Sequence, residues 1–252
     1  MSAAKEQREK LTWEFPNIGK KAPEQEEKAF AYCEGYKEFL NAAKTEREFV
    51  REAVLRLKEA GYEEFEEGKI YQPGDKVYQI NRKKALLMST FGKRPLEDGV
   101  RINVAHIDSP RLDLKPNPLY EKAEAAYFKT HYYGGIRKYQ WATIPLAMHG
   151  VVILKDGTSM DICIGEKEGD PVFCVTDLLP HLAAQQNERK LKDGIKGEEL
   201  NIIVGSLPYP CEEEDSIKEP VKLLALSILN ERFGMTEKDF MRAEIEFVPA
   251  VK

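Results

Sequence analysis

The amino-acid sequence predicts an α/β fold in which an incomplete α/β domain is followed by a β-rich module. Apolar periodicity predicts two helices, over 25–44 and 45–61, and an alternating pattern predicts strands from residue 76 onwards. Beyond residue 116 short strands and turn signals predominate. A mostly parallel sheet needs further strand–helix–strand units, which the sequence does not obviously supply. We therefore expect a half-built sheet next to a β-rich module.

Composition limits the class of protein. The chain has 252 residues, of which 42% are hydrophobic, and this is enough for a packed core. Its net charge of −5, with both signs interspersed, argues against a nucleic-acid partner, and no apolar run is long enough to span a membrane. Residues 1–15 have no apolar core like that of a signal peptide, so we expect a cytoplasmic location. The four cysteines are far apart, which predicts free, mostly buried thiols.

The two helices have clear local signals. Phe30, Tyr36 and Leu40 belong to an apolar stripe on the first helix. A capping-box sequence, Thr45 to Glu48, starts the second helix, and Gly61 ends it. We expect both helices to pack against a sheet.

The sequence predicts a functional site at the end of one strand. A hairpin is predicted from 76–81 and 85–91, and residues 100–105 predict a buried strand that ends at His106. In extended backbone His106 and Asp108 project to the same side, so the imidazole can bind a metal while the carboxylate orients it. The alternative is a hydrogen-bonded pair at a strand end, with no metal.

The rest of the chain predicts mostly strands. We expect strands at 127–133, 141–148, 151–154, 159–165, 201–206 and 243–248, a long helix from about residue 176 to 187, and another helix over 220–233. The sequence Asp156-Gly157 favours a tight hairpin turn.

Two strings carry a resemblance to a known family. HIDSPRLDLKP and, further on, YYGGIRKYQWATIPLAMHGVV resemble the M18 family of metallo-aminopeptidases, of the aspartyl aminopeptidase type. The resemblance implies that this chain corresponds to the front part of such an enzyme. It implies that 1–116 is the N-terminal part of a zinc-peptidase-type α/β catalytic domain, 117–246 an inserted β-rich dimerisation domain, and 247–252 the start of the return to the catalytic domain.

The resemblance also implies a function: hydrolysis of N-terminal residues from peptides by metal-activated water. Enzymes of the family use two zinc ions bridged by an Asp, with further ligands from a Glu, another carboxylate and a His near the C-terminus, and a second Glu as general base. His106 as a metal ligand and Asp108 as its orienting neighbour are carried over. The last histidine here is His181, so we expect the chain alone to be inactive.

His181 matches a family histidine on the inserted domain that can reach a neighbouring subunit's active site. That implies a catalytic role in a homo-oligomer formed through the inserted domain, and the alternative is a helix-start histidine bonded to backbone. We expect His131 and His149 to be structural. The carboxylates that follow His106 in the family's order are expected to be ordinary surface groups: Asp177, Glu198, Glu199 and Asp215.

Two other classes of function stay open. One is a non-catalytic oligomerisation module derived from such an enzyme. The other is a hydrolase that uses Cys163, Cys174 or Cys211 with His131 or His149, although none of them has a recognisable nucleophile context. Trp141 is followed by Ala142, where many family members have Asp-Arg, so the usual preference for acidic N-terminal residues is in doubt.

Overall fold

The computed structural model describes residues 2–13, 15, 17, 19, 22–210 and 217–251. Contacts between Cα atoms divide the chain into two compact units, residues 1–43 and residues 44–252. The first unit contains helices α1 (Ala3–Leu11) and α2 (Pro23–Ala42). The prediction of a helix over 25–44 is confirmed. None of the described residues of α2 is buried, however, so its apolar stripe, including Phe30, lies on the surface.

Helix α3 (Glu46–Glu59) opens the second unit with the predicted capping box. The Thr45 hydroxyl oxygen accepts a hydrogen bond from the backbone N–H of Glu48 (3.4 Å), and the Glu48 carboxylate accepts one from the backbone N–H of Thr45 (3.1 Å). These bonds satisfy two amides at the helix start. Val50, one turn later, is buried.

A small three-stranded sheet follows, made of β1 (Glu63–Glu64), β2 (Lys76–Asn81) and β3 (Ala85–Thr90). Strands β2 and β3 form the predicted antiparallel hairpin, in full register from Lys76 opposite Thr90 to Asn81 opposite Ala85. Strand β1 joins β2 in parallel.

The expected buried strand at 100–105 is wrong. The structure assigns no strand there, and the apolar side chains of Val100, Ile102 and Val104 are 61%, 74% and 88% exposed. The alternation of apolar residues is present in the sequence, but no described strand pairs with this segment. Without a neighbouring strand the backbone amides have no ladder partners and the side chains have no covering layer.

The larger sheet has seven strands, all joined antiparallel, in the spatial order β7-β6-β10-β4-β5-β9-β8. Its strands are β4 (Arg111–Lys122), β5 (Ala125–Tyr133), β6 (Leu146–Ile153), β7 (Ser159–Ile164), β8 (Cys174–Val175), β9 (Ile202–Gly205) and β10 (Ala243–Pro249). Strand β4 was not predicted, and the two strands expected at 141–148 and 151–154 are one strand, β6. The predicted strands at the positions of β5, β7, β9 and β10 are confirmed.

Strand β4 runs through residues 116 and 117, and β10 runs through 246 and 247. These are the positions of the expected domain boundaries, which stay predictions.

The hydrophobic core lies on one face of the large sheet, under helix α5 (Pro220–Phe233). Phe247 on β10 contacts the ring of Phe173 edge-on at 5.2 Å and that of Phe128 at 6.0 Å. The α5 helix matches its prediction, including Gly234 as its C-cap. Its first amides, of Val221 and Lys222, donate to the Glu121 carboxylate on β4 (2.9 and 3.0 Å), which fixes the helix start on the sheet.

The long helix expected from residue 176 is wrong. The structure has a 3₁₀ turn at Pro180–Leu182 and a four-residue helix, α4 (Ala184–Asn187), and it leaves Leu178, Leu179 and Leu182 exposed. Proline restricts the residue before it to extended backbone, and Leu179 is extended (φ −63°, ψ 149°), so no helix runs through this point.

Gly150 on β6 allows a close approach of neighbouring backbone. It has φ +152°, and a Cβ built there would overlap the backbone oxygen of Glu244 and lie 2.8 Å from the Cα of Ile245 on β10. We expect Gly150→Ala to lower the free energy of unfolding by at least about 2 kcal/mol, because backbone cannot move aside as a side chain can. Urea denaturation measures this.

Gly205→Ala is the matched control. Gly205 is also a strand residue, the last one of β9, but nothing lies within 4 Å of a Cβ built there. Its substitution should change the free energy of unfolding little, and equal losses in the two variants would contradict the close approach at Gly150.

Candidate functional site

His106 and Asp108 lie together on an exposed segment. The His106 Nδ1 is 3.0 Å from the backbone carbonyl oxygen of Asp108 and 3.2 Å from its Oδ1. A carbonyl oxygen only accepts hydrogen bonds, so Nδ1 carries the proton. The Nε2 atom, which makes no contact with a described residue, then keeps its lone pair. This is the arrangement in which a histidine can bind a metal ion through Nε2 while a neighbouring residue fixes its tautomer.

Tyr133, at the end of β5, holds the Asp108 carboxylate. Its hydroxyl donates to Asp108 Oδ2 at 2.9 Å, and this bond holds the pKa of Asp108 below its ordinary value, with a smaller contribution from His106. The Arg111 guanidinium stacks on the Tyr133 ring at 4.0 Å. Sequence reasoning missed this tyrosine because nothing in the local pattern links it to a residue 25 positions earlier.

Arg111 itself belongs to a buried ion cluster. Its guanidinium donates to Glu46 on α3 and to Asp113 on β4, each at 2.8 Å, and it lies 3.5 Å from Glu246 on β10. One carboxylate oxygen of Glu46 and one of Glu246 are buried with no hydrogen-bond partner among the described residues. Burial, and then the charge of Glu46, raise the pKa of Glu246 to about 7. A single arginine thus serves three carboxylates.

His149 lies within the large sheet, on the second strand from one edge. It is buried in the middle of β6, opposite Cys163 on β7 and Glu246 on β10. Its Nδ1 lies 2.7 Å from the Glu48 carboxylate and its Nε2 lies 3.0 Å from that of Glu166. This confirms a structural position for His149, and its partners could not be predicted because Glu48 is 101 residues away.

The two remaining histidines, His131 and His181, are exposed, and neither contacts His106 in the described part of the chain. His181 lies in the 3₁₀ turn at Pro180–Leu182, and His131 on β5 stacks on the Tyr132 ring at 5.5 Å. The catalytic role of His181 stays a prediction.

Three of the four later carboxylates are surface groups, as expected, and the fourth is not described. Glu198 pairs with Lys115 at 2.7 Å, Glu199 pairs with Arg189 at 2.9 Å, and Asp177 accepts a hydrogen bond from the backbone N–H of Leu178. Asp215 lies outside the described residues.

The three cysteines that the structure describes do not form a nucleophilic site. Cys33, Cys163 and Cys174 are free, but Cys33 and Cys163 are exposed rather than buried as expected. Although Cys163 is exposed as a residue, partial desolvation of its sulfur, followed by the charges of Glu48 and Glu166, raises the pKa of its thiol, which disfavours the reactive thiolate. Its neighbour His149 is held by carboxylates on both nitrogens. Cys211 lies outside the described residues.

A zinc site can be tested against these donors. Among the residues that the structure describes, no group of three or more His, Cys, Asp or Glu side chains is arranged to hold a metal ion. A catalytic zinc site normally takes three ligands from the protein. His106 with Asp108 therefore does not by itself fit a catalytic zinc site.

Across the residues that the structure describes, no helix is both long and apolar enough to cross a membrane.

Comparisons with known proteins all indicate the same family. The model of the aminopeptidase I zinc metalloproteases (M18) matches residues 39–252. A probable M18 family aminopeptidase 1 from Clostridium acetobutylicum is 48% identical over 247 residues, covering 96% of this chain and 52% of the relative.

Solved structures indicate the same family as the sequence comparisons. The crystal structure of an M18 aminopeptidase from Thermotoga maritima matches with a TM-score of 0.85 at 45% identity, covering 96% of this chain and 52% of that one. The aminopeptidase I structure from Borrelia burgdorferi matches with a TM-score of 0.79 at 40% identity, over 91% of this chain and 51% of the other. The chain spans about half the length of the curated relatives it matches. With the family model matching 39–252, the chain belongs to the M18 family of aminopeptidase I zinc metalloproteases.

Proposed function

We propose that this chain forms part of a zinc aminopeptidase that removes N-terminal residues from peptides by means of metal-activated water. The observation that carries the proposal is the His106–Asp108 pair, in which Nδ1 is held by Asp108 and Nε2 is left exposed. Family membership supplies the chemistry that such a histidine would serve. His106 acts as one zinc ligand and Asp108 orients its ring.

Several finer points belong to the same proposal. The complete site holds two zinc ions, and its other ligands are not among the described residues. His181 acts at the site of a neighbouring subunit in a homo-oligomer that forms through residues 117–246. The protein works in the cytoplasm. Exposure of His181 supports its availability to another subunit.

A second candidate is a non-catalytic oligomerisation module. The observation in its favour is the exposed apolar segment of Val100, Ile102 and Val104, since apolar surface of this kind is typical of contact with another chain. Metal binding and turnover distinguish the two functions.

The chain alone should bind less than one equivalent of zinc firmly and should not release residues from aminoacyl p-nitroanilides. The reason is that one histidine cannot hold a catalytic zinc ion. Zinc per chain, measured by mass spectrometry after dialysis, and a panel of such substrates test this. About two bound ions with chelator-sensitive turnover would contradict the expected inactivity.

Matched variants test the proposed ligand itself. His106→Ala should abolish the weak residual binding of zinc in a titration, whereas His131→Ala, which removes another exposed histidine, should leave it unchanged. Equal zinc binding by the two variants would overturn His106 as a ligand and favour the oligomerisation module.

The Tyr133 hydroxyl should control the Asp108 carboxylate. Tyr133→Phe removes the hydrogen bond that is the main cause of the lowered pKa of Asp108, so that pKa should rise towards its ordinary value. The phenyl ring can still stack on Arg111. Carbon-13 NMR of the Asp108 side chain during a pH titration measures the change.

Tyr132→Phe is the control, because Tyr132 is the adjacent residue and its hydroxyl is not part of the contact with Asp108. If the pKa of Asp108 is the same in the wild type and in Tyr133→Phe, the hydroxyl does not hold this carboxylate.

A further inference from the structure

Five ionisable side chains form a row across one face of the large sheet. Each is directly opposite the next in the antiparallel register, which places them on the same face. From β7 to β5 this ionisable row runs Cys163, His149, Glu246, Asp113 and His131. The first turn of helix α3 lies over its central part, and His149 and Glu246 beneath it are almost completely buried.

His149 is held as an imidazolium by its geometry. A carboxylate only accepts hydrogen bonds, and both ring nitrogens face one: Nδ1 faces Glu48 at 2.7 Å and Nε2 faces Glu166 at 3.0 Å. A neutral imidazole has one N–H, so it could satisfy only one of these contacts. Losing the proton would leave a ring lone pair against a carboxylate.

The Glu48 carboxylate joins this pair to the helix. Its Oε2 accepts the Thr45 backbone N–H at 3.1 Å and completes the capping box, while its Oε1 accepts from His149. Lys44, just before the helix, reaches Glu166 at 2.7 Å and the backbone oxygen of Pro249 at 3.2 Å. The start of α3 is thereby bound to β6, to the loop after β7 and to the end of β10.

Glu246 provides a second proton-dependent contact, one strand away. Among the residues that the structure describes, one of its carboxylate oxygens has no hydrogen-bond partner and is buried, and the same is true of one oxygen of Glu46 on α3. Arg111 lies beside both. A proton on Glu246 removes the repulsion between the two carboxylates, since one guanidinium also has to serve Asp113.

Other charged groups face His149 from the elements packed around it. Helix α3 provides Glu48 and Arg51, and Lys44 precedes its N-cap. Strand β7 and the loop after it provide Cys163 and Glu166, and β10 provides Glu244 and Glu246. The side chains that are joined by ion pairs around His149 and Arg111 form one cluster. Its members are Lys44, Glu46, Glu48, Arg111, Asp113, His149, Glu166 and Glu246. When His149 and Glu246 both carry a proton, the cluster contains four negatively charged carboxylates and three cations. When both have lost that proton, it contains five negatively charged carboxylates and two cations.

We propose that His149 and Glu246 form a proton-controlled clamp that fixes the first turn of α3 on the sheet at mildly acidic pH and releases it at alkaline pH. The clamp is independent of the proposed peptidase function. It is a property of this chain's own contacts.

The sign of the pH dependence follows from both groups. The pKa of Glu246 is raised from 4.5 to about 7, so its contribution to stability is lost as pH rises from about 4.5 through 7. Burial lowers the pKa of His149, but the carboxylates of Glu48 and Glu166 outweigh this effect and raise the pKa above 6.5, so its contribution is lost as pH rises through that raised value. Glu48 acts in the opposite direction: its pKa is lowered, so its contribution is lost as pH falls below 4.5. Greatest stability is expected near pH 5.

Urea unfolding of the whole chain from pH 5 to pH 8.5 tests the clamp. The folding equilibrium constant of the wild type should fall by about 10- to 100-fold over this range, since each pKa unit is a factor of ten. Glu246→Gln carries an amide that never ionises, so most of the fall below pH 7 should disappear. Glu198→Gln is the control, because Glu198 is an exposed carboxylate whose partner, Lys115, is not a member of the cluster, and this variant should keep the wild-type slope.

A second measurement does not depend on any variant. Nitrogen-15 NMR of His149 in the wild type should show both ring nitrogens protonated at pH 6, and amide exchange at residues 46–49 should accelerate between pH 7 and 9 beyond the intrinsic rate. A neutral His149 at pH 6, a wild-type stability that is flat or rises with pH, or an unchanged slope in Glu246→Gln would overturn the clamp.

Discussion

The pairing of strand β10 on both sides determines the rest of the large sheet. Its residues Ala243–Pro249 pair with β6 from Val152 to Leu146 on one side, and Glu246 and Phe247 pair with β4 on the other. The β4–β5–β9–β8 group would otherwise have no ladder to β6 and β7. Because side chains alternate along a strand, β10 also determines what each face contains: Ile245 and Phe247 enter the apolar core, and Glu244 and Glu246 project to the opposite face. A slip of one residue in β10 would exchange these two sets.

The two faces are stabilised in different ways. Under α5 the sheet packs against apolar side chains, and here burial of surface is the favourable contribution, at roughly 25 cal/mol per Å². Under the first turn of α3 it packs through ions, whose desolvation offsets much of their attraction. One oxygen of Glu46 and one of Glu246 are buried without a hydrogen-bond partner in the described part of the chain, so the hydrogen bonds of this second interface are incomplete there. Its geometry specifies where α3 begins, while the core under α5 carries more of the stability.

The sequence predicted best those elements whose signals are local. The capping box needs four residues, the β2–β3 hairpin needs one turn, and α5 is bounded by Pro220 and Gly234. Strand β4 was missed because Pro116 and Pro118 lack amide donors and are typical of a loop. The structure accommodates them at the register shift between Leu114 and Leu119. The expected strand at 100–105 failed for the opposite reason, since its apolar pattern is right but a strand also needs a neighbour.

The candidate site shows the same division. The sequence predicted His106 and Asp108 together because they are two residues apart, and their contact is a local one between these two positions. Tyr133 was not found, because its contact with Asp108 forms across 25 positions of sequence. Arg111 was not found, because it stacks on the Tyr133 ring, which lies opposite it in the β4–β5 register. The contacts run from Asp108 to the Tyr133 hydroxyl, from the Tyr133 ring to the Arg111 guanidinium, and from Arg111 to Glu46 on α3 and Glu246 on β10. The exposed pair is thus joined to the ions beneath α3 by way of one tyrosine and one arginine, which the β4–β5 register places opposite each other.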